Sequence, residues 1–169
     1  MTMNSLAARV DGALGRVSMY LLVTAALGLI GVVSIVAAAF GGLPYHAGAI
    51  ALSLIVGVVA TAAGTALGAL ATRSSPHPPS SVIVGLILAL ILWPGFGADL
   101  LILALAGATA GLSKYVLVWR GRHILNPAVA GLLVVGLSGA GVSIWWVGSQ
   151  VLLPVVVLTG LVVLWRTRR

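Results

Sequence analysis

The chain has no cysteine and only two acidic side chains, Asp11 and Asp99. The first absence excludes disulfides, thiolate metal sites and cysteine nucleophiles. The second matters as much: three histidines and two aspartates are too few for a convincing metal or carboxylate-pair site. Charged residues make up 7% of the 169 positions and hydrophobic ones 61%, and the mean hydropathy is +1.23. A soluble globule of this size cannot cover so much apolar surface, because small folds leave a large share of their area facing water. A bilayer removes the difficulty by acting as the solvent, and about 20 apolar residues carry a helix through its roughly 30 Å core. The composition therefore implies an all-α, polytopic transmembrane bundle, one domain over residues 1–169. The net charge of +7 would suggest nucleic acid in a soluble protein. Here topology explains it, and the partner expected is the lipid bilayer. So little ionisable chemistry means that any function beyond scaffolding comes from a pore, a bound cofactor or a partner.

Six apolar segments are expected: Val17 to Phe40, Ala47 to Ala71, Ser81 to Trp93, Leu100 to Trp119, Pro127 to Leu137 and Val142 to Trp165. Stretches rich in Gly, Pro and Ser separate them. With the N-terminus in the cytoplasm, all nine basic residues fall on one side. Arg9 and Arg16 precede the first segment, and Arg73 follows the second. Lys114, Arg120 and Arg122 lie between the fourth and fifth, and Arg166, Arg168 and Arg169 end the chain. This is the positive-inside bias, and it places both termini in the cytoplasm. The aromatics agree with it. Tyr20, Tyr115, Trp119 and Trp165 mark the inner ends, while Phe40, Tyr45, Trp93, Phe96, Trp145 and Trp146 mark the outer ones. Ala37–Ala39 resembles a signal-peptide cleavage site, but the apolar run before it is too long for a signal's core.

The third and fifth segments are too short to span. Eleven to thirteen residues reach only about 20 Å. Short spans interrupted by Gly and Pro point to a polar site within the membrane, since lipid cannot satisfy their terminal backbone groups. Both open on a helix-start signal, Ser80-Ser81 or Asn126-Pro127, and both carry an early glycine, Gly85 or Gly131. Those glycines admit either a neighbouring helix or a flat ring.

"PSSVIVGLILALILWP" followed by "GATAGLSKYVLVWRGRHILNPAVAGL" resembles one half of the RnfD/NqrB family of membrane flavin proteins. Its members belong to two respiratory assemblies, the Rnf electron-transport complex and the sodium-pumping NADH:quinone oxidoreductase. The resemblance spans about residues 79–137. It rests on Val84-Gly85-Leu86-Ile87, Pro94, Ser113-Lys114, Arg120-Gly121-Arg122 and Asn126-Pro127-Ala128 with Gly131. It implies an electron-transfer subunit of a bacterial plasma membrane that binds a flavin, riboflavin or FMN, non-covalently. Gly85 and Asn126 carry over as flavin contacts, and His123 stands where the family has a second asparagine. Lys114 is either a snorkelling lysine or a cation beside the reduced ring. Gly131 completes the cofactor-binding set.

The family proteins are about twice as long, with two related halves. This chain would be a truncated or split version that needs a cytoplasmic flavin or iron–sulfur reductase, with quinone as an acceptor, and a homodimer would rebuild the two halves. Gly107-Ala108-Thr109 echoes a covalent flavin-attachment motif, but Thr109 is expected mid-helix. Arg120 and Arg122 read as topology anchors, or as contacts for lipid phosphate or an acidic partner. His46 and His77 read as interfacial loop residues, and Asp99 as favouring a helix start. The competing functions are a urea- or ammonium-like solute channel and a non-catalytic scaffold, so enzymatic activity is left open.

Overall fold

The computed structural model describes residues 17–120, 122–139 and 143–168. Arg9, Asp11, Arg16, Gly121, Val142 and Arg169 lie outside the described residues. The described chain is helical with one small hairpin. The helices are α1 (Met19–Ala39), α2 (Ala47–Ala71), α3 (Pro78–Ile91), α4 (Ala98–Val116), α5 (Pro127–Ser138) and α6 (Leu153–Thr167). Strands β1 (Val118–Trp119) and β2 (Arg122–His123) join α4 to α5, and a 3₁₀ turn covers Trp146–Gly148. Helices α1, α2 and α4 are each long and apolar enough to cross a membrane, while α3, α5 and α6 are shorter.

Local chemistry sets the helix ends. Ser18 caps α1, its Oγ accepting from the Leu21 N–H at 3.2 Å. His46 caps α2 through Nδ1, which accepts from the Gly48 N–H at 3.2 Å. Prolines open α3 and α5, where a missing N–H costs nothing. Asp99 lies in the first turn of α4, where a carboxylate suits the helix dipole.

Helix α2 is the centre of the assembly, packed chiefly against α4 and also against α3 and α1. Gly57, Thr61, Gly64, Thr65 and Gly68 form one buried stripe along it. An added Cβ at Gly64 would run into the Ala108 backbone, and one at Gly111 into the Thr61 carbonyl. Gly85 of α3 meets α2 the same way: a Cβ there would lie 2.5 Å from the Gly57 oxygen. Gly131 of α5 packs on the Ala106 carbonyl of α4. Small residues at such crossings let backbones approach, which is how helices associate when the surroundings are as apolar as their side chains. Two apolar clusters complete the core. One joins α3, α4 and α5 around Leu88 and Leu103; the other gathers Ile30, Ile50, Trp146 and Leu152.

Two expected segments are corrected. The fourth ends at Val116, not Trp119, because residues 118–123 turn back as an antiparallel hairpin with Trp119 opposite Arg122 and Val118 opposite His123. Arg120, directly after β1, has φ +50°, the backbone sign that tight hairpins favour. The sixth helix begins at Leu153 rather than Val142. The residues before it cap the early end of α3. The Ile144 and Trp145 N–H groups both donate to the Ile91 carbonyl at 3.1 Å. Trp146 Nε1 donates to the Ala89 carbonyl at 3.2 Å. A helix that stops short exposes carbonyls that lipid cannot satisfy, and this loop satisfies two of them. Trp146 is 5% exposed, with its ring edge-on to Tyr45 at 5.5 Å. Others of the aromatics expected at the outer end make ring contacts there too, with Tyr45 edge-on to Trp93 at 5.3 Å and Phe96 against His46 at 5.5 Å.

Gly64→Val should force α2 and α4 apart and cost roughly 1–3 kcal/mol, the usual range for overpacking. Gly28→Val, at a position with open space around it, should cost far less. Thermal unfolding of the two variants in detergent checks the contrast.

Candidate functional site

Where α3 and α5 begin and α4 ends, a cavity of about 300 Å³ opens between them. Helix α3 supplies one wall, Ser80, Ile83, Val84 and Ile87, repeating at helical spacing on one face. Lys114 comes from the last turn of α4, and Tyr20 from the first turn of α1. His123 from the hairpin and the Asn126-Pro127 turn close the opposite side. The cavity thus sets the aliphatic Ile83, Val84 and Ile87 beside a polar group of Ser80, Lys114, His123 and Asn126.

Lys114 is 8% exposed. Its ammonium donates to Ser80 Oγ at 3.0 Å and to Ser81 Oγ at 3.2 Å. Ser81 in turn donates to Thr65 Oγ1 at 2.8 Å, and Ser80 donates to the His77 carbonyl at 3.1 Å. Among the described residues, the partners of the cation are therefore neutral oxygens. Asp99, the one acidic side chain among them, sits in the opposite end turn of α4. At 1.5 Å per residue that is about 22 Å away. The carbonyl end of α4 favours a cation in its last turn, which contributes to holding Lys114 where it is.

Asn126 caps α5: its Oδ1 accepts from the Ala128 N–H at 2.9 Å, which leaves the amide donors uncommitted. His123 is exposed on β2. Tyr20 stacks at a tilt on His77, ring centres 5.2 Å apart, and His77 precedes α3 without a side-chain cap bond.

Three of the five residues singled out in the sequence, Lys114, His123 and Asn126, therefore line one cavity. Gly85 and Gly131 lie in helix contacts instead, Gly85 against Gly57 and Gly131 against Ala106, and are not on the cavity wall. Val84, the neighbour of Gly85, is. Thr109 is in the interior of α4, as expected, and Gly107 and Gly111 beside it pack on α2. Sequence reasoning alone misses Ser80, Ser81 and Thr65 as the polar network of Lys114, and Tyr20 as a cavity residue. A lysine in an apolar helix demands neutral oxygens somewhere, and Ser80-Ser81 is an obvious pair. No linear spacing connects the two, since 33 residues separate Ser81 from Lys114.

A wider cleft of about 610 Å³ adjoins the hairpin, lined by Trp119, Arg120, Arg122, His123 and Ile124. An apolar crevice of about 310 Å³ runs between α1, α3 and α6 and shares Ile87 with the site. Among the described residues no cluster of His, Cys, Asp or Glu could hold a metal ion.

No family model, curated protein or solved structure matches this chain.

Asn126→Ala should lower stability by about 1 kcal/mol through loss of the cap, while Asn126→Asp, an equally good cap, should stay close to the parent. Thermal unfolding of the purified variants separates the two outcomes.

Proposed function

We propose that this protein is a multi-pass membrane subunit that carries electrons on a flavin, riboflavin or FMN, held non-covalently beside the Asn126-Pro127 turn. The cavity of about 300 Å³ carries this reading. Its volume falls at the lower end of small-ligand sites, which run from roughly 300 to 1,000 Å³. Its make-up also suits a flat ring, with the aliphatic Ile83, Val84 and Ile87 of α3 beside a few polar groups. Lys114 would stand at the ring edge where negative charge gathers on reduction, and a nearby cation favours that charge. The Asn126 amide and one His123 nitrogen would meet ring carbonyls or nitrogens. A bound flavin would supply the electron transfer, and the protein its position and electrostatics.

The helix lengths support a membrane setting. Besides the three long apolar helices, α3 and α5 have 14 and 12 residues, reaching about 21 and 18 Å. Both begin at the cavity, the arrangement in which interrupted membrane helices surround a bound group. In this reading the protein lies in a bacterial plasma membrane with both ends cytoplasmic. A cytoplasmic flavin or iron–sulfur reductase would deliver electrons near the basic hairpin, and quinone would accept them. A second copy of the chain would complete a two-half architecture. The glycine contacts count against a solute channel. Gly57 with Gly85, Gly64 with Ala108 and Gly131 with Ala106 close the seams between the helices that would line a path.

Purified protein incubated with riboflavin or FMN should retain a yellow absorbance band through gel filtration. Ile83→Trp, which fills the α3 wall of the cavity, should abolish it while the helical circular dichroism persists. A folded parent that stays colourless with both flavins would contradict the reading.

A further inference from the structure

We infer that the cavity at the start of α3 and α5 is an oxyanion site for a phosphate group, whichever molecule brings it. The inference does not rest on the flavin reading: Lys114, Asn126 and His123 would meet a phosphate in place of a flavin's ring edge. Its first ground is the charge of Lys114. Lys114 is 8% exposed as a residue, and the two hydrogen bonds of its ammonium go to serine oxygens that carry no charge. An ammonium has three N–H donors, so one is left on the cavity side. A buried charge is normally paired or ligated. No carboxylate among the described residues is placed to pair this one, since Asp99 is at the far end of α4.

The second ground is the set of groups around it. Asn126 turns its oxygen to the α5 cap and keeps both amide N–H donors uncommitted. His123 and Tyr20 line the same cavity, and the side chain of each is able to donate. Helices α3 and α5 both direct their N-terminal ends here, and those ends carry partial positive charge. A cavity that combines a buried cation without a charged partner among the described residues, spare donors and two helix starts, with no acid in its lining, has the charge pattern of an anion site. Phosphate matches it better than a halide, because several oxygens can accept from separate donors at once. The apolar wall of Ile83 and Ile87 would take whatever part of the ligand follows the phosphate.

The test uses the full chain in phosphatidylcholine nanodiscs, with radiolabelled inorganic phosphate as the probe in equilibrium dialysis. The parent should bind saturably. Lys114→Gln should bind about tenfold more weakly or worse, the loss expected for a charge-assisted hydrogen bond, and Lys114→Arg should recover part of it. Asn126→Asp, which keeps the cap but adds negative charge, should also lose binding with the fold intact. Competition identifies the source. Displacement by FMN but not riboflavin points to a nucleotide phosphate. Displacement by phosphatidylglycerol points to a lipid headgroup, and displacement by neither to free phosphate. Absence of saturable binding in the parent would overturn the proposal, as would binding indifferent to Lys114→Gln and Asn126→Asp. A tenfold rise in Asp11→Asn would also overturn it, by showing that the chain supplies its own counter-charge. A colourless protein that still binds phosphate would sink the flavin reading alone.

Discussion

Positions without bulky side chains along one stripe of α2 let α4 and α3 approach it to backbone contact, at Gly64 with Ala108 and at Gly57 with Gly85. Apolar burial cannot hold these helices together if lipid surrounds them, since a lipid tail is as good a neighbour as leucine. Close van der Waals packing and a few buried hydrogen bonds are what remain. Both occur on this stripe: Thr65 lies between the packed glycines and accepts from Ser81. The approach brings the first turn of α3 within reach of the last turn of α4, and so places Ser80 and Ser81 around Lys114. The cavity is the space left beyond that junction, where α5 starts on the far side of the hairpin.

The two interrupted helices fit the same constraint. A helix that stops early must hand its terminal backbone groups to something other than lipid. At the end of α3 the chain itself does this, with residues 144–146 donating to the carbonyls of Ile91 and Ala89. At the start of α5 Asn126 meets one of the orphan N–H groups. At the start of α3 the polar company is Lys114 with Ser80 and Ser81. The two ends of the molecule therefore differ in kind: one is sealed by tryptophan and backbone, the other keeps a cation, an amide and an imidazole beside a space.

Much of the fold is legible in the sequence because apolar runs and their punctuation are local. The α2 boundaries can be read to the residue, and those of α1 and α5 to within two. The differences occur where tertiary contacts override the local pattern. Val142 to Leu152 is apolar enough to continue a helix, but the unsatisfied end of α3 draws residues 144–146 into a capping loop. Leu117 to Trp119 likewise continues the hydrophobic run of α4, yet pairs back on Arg122 and His123 through a tight turn. Of the site, Lys114, His123 and Asn126 are legible as polar residues in apolar surroundings, and they do meet. Gly85 and Gly131 suit a ring or a helix equally well, and only three-dimensional contacts place them against Gly57 and Ala106. Thr65 looks like an ordinary small residue and Ser80-Ser81 like a helix start, because what ties them together is a lysine from a distant part of the chain.

The cavity, the buried lysine and the sealed end of α3 all depend on the α2–α3–α4 junction. A chain free of cysteine permits a clean test of it by oxidative cross-linking of Thr65→Cys with Ser81→Cys in membranes. Their side-chain oxygens are 2.8 Å apart, so the paired thiols should close a disulfide under mild oxidant and resist later alkylation. The control pair Leu67→Cys with Ser81→Cys, whose first member faces outward, should remain reactive. Free thiols in the first pair, or equal cross-linking in both, would contradict the junction and with it the site.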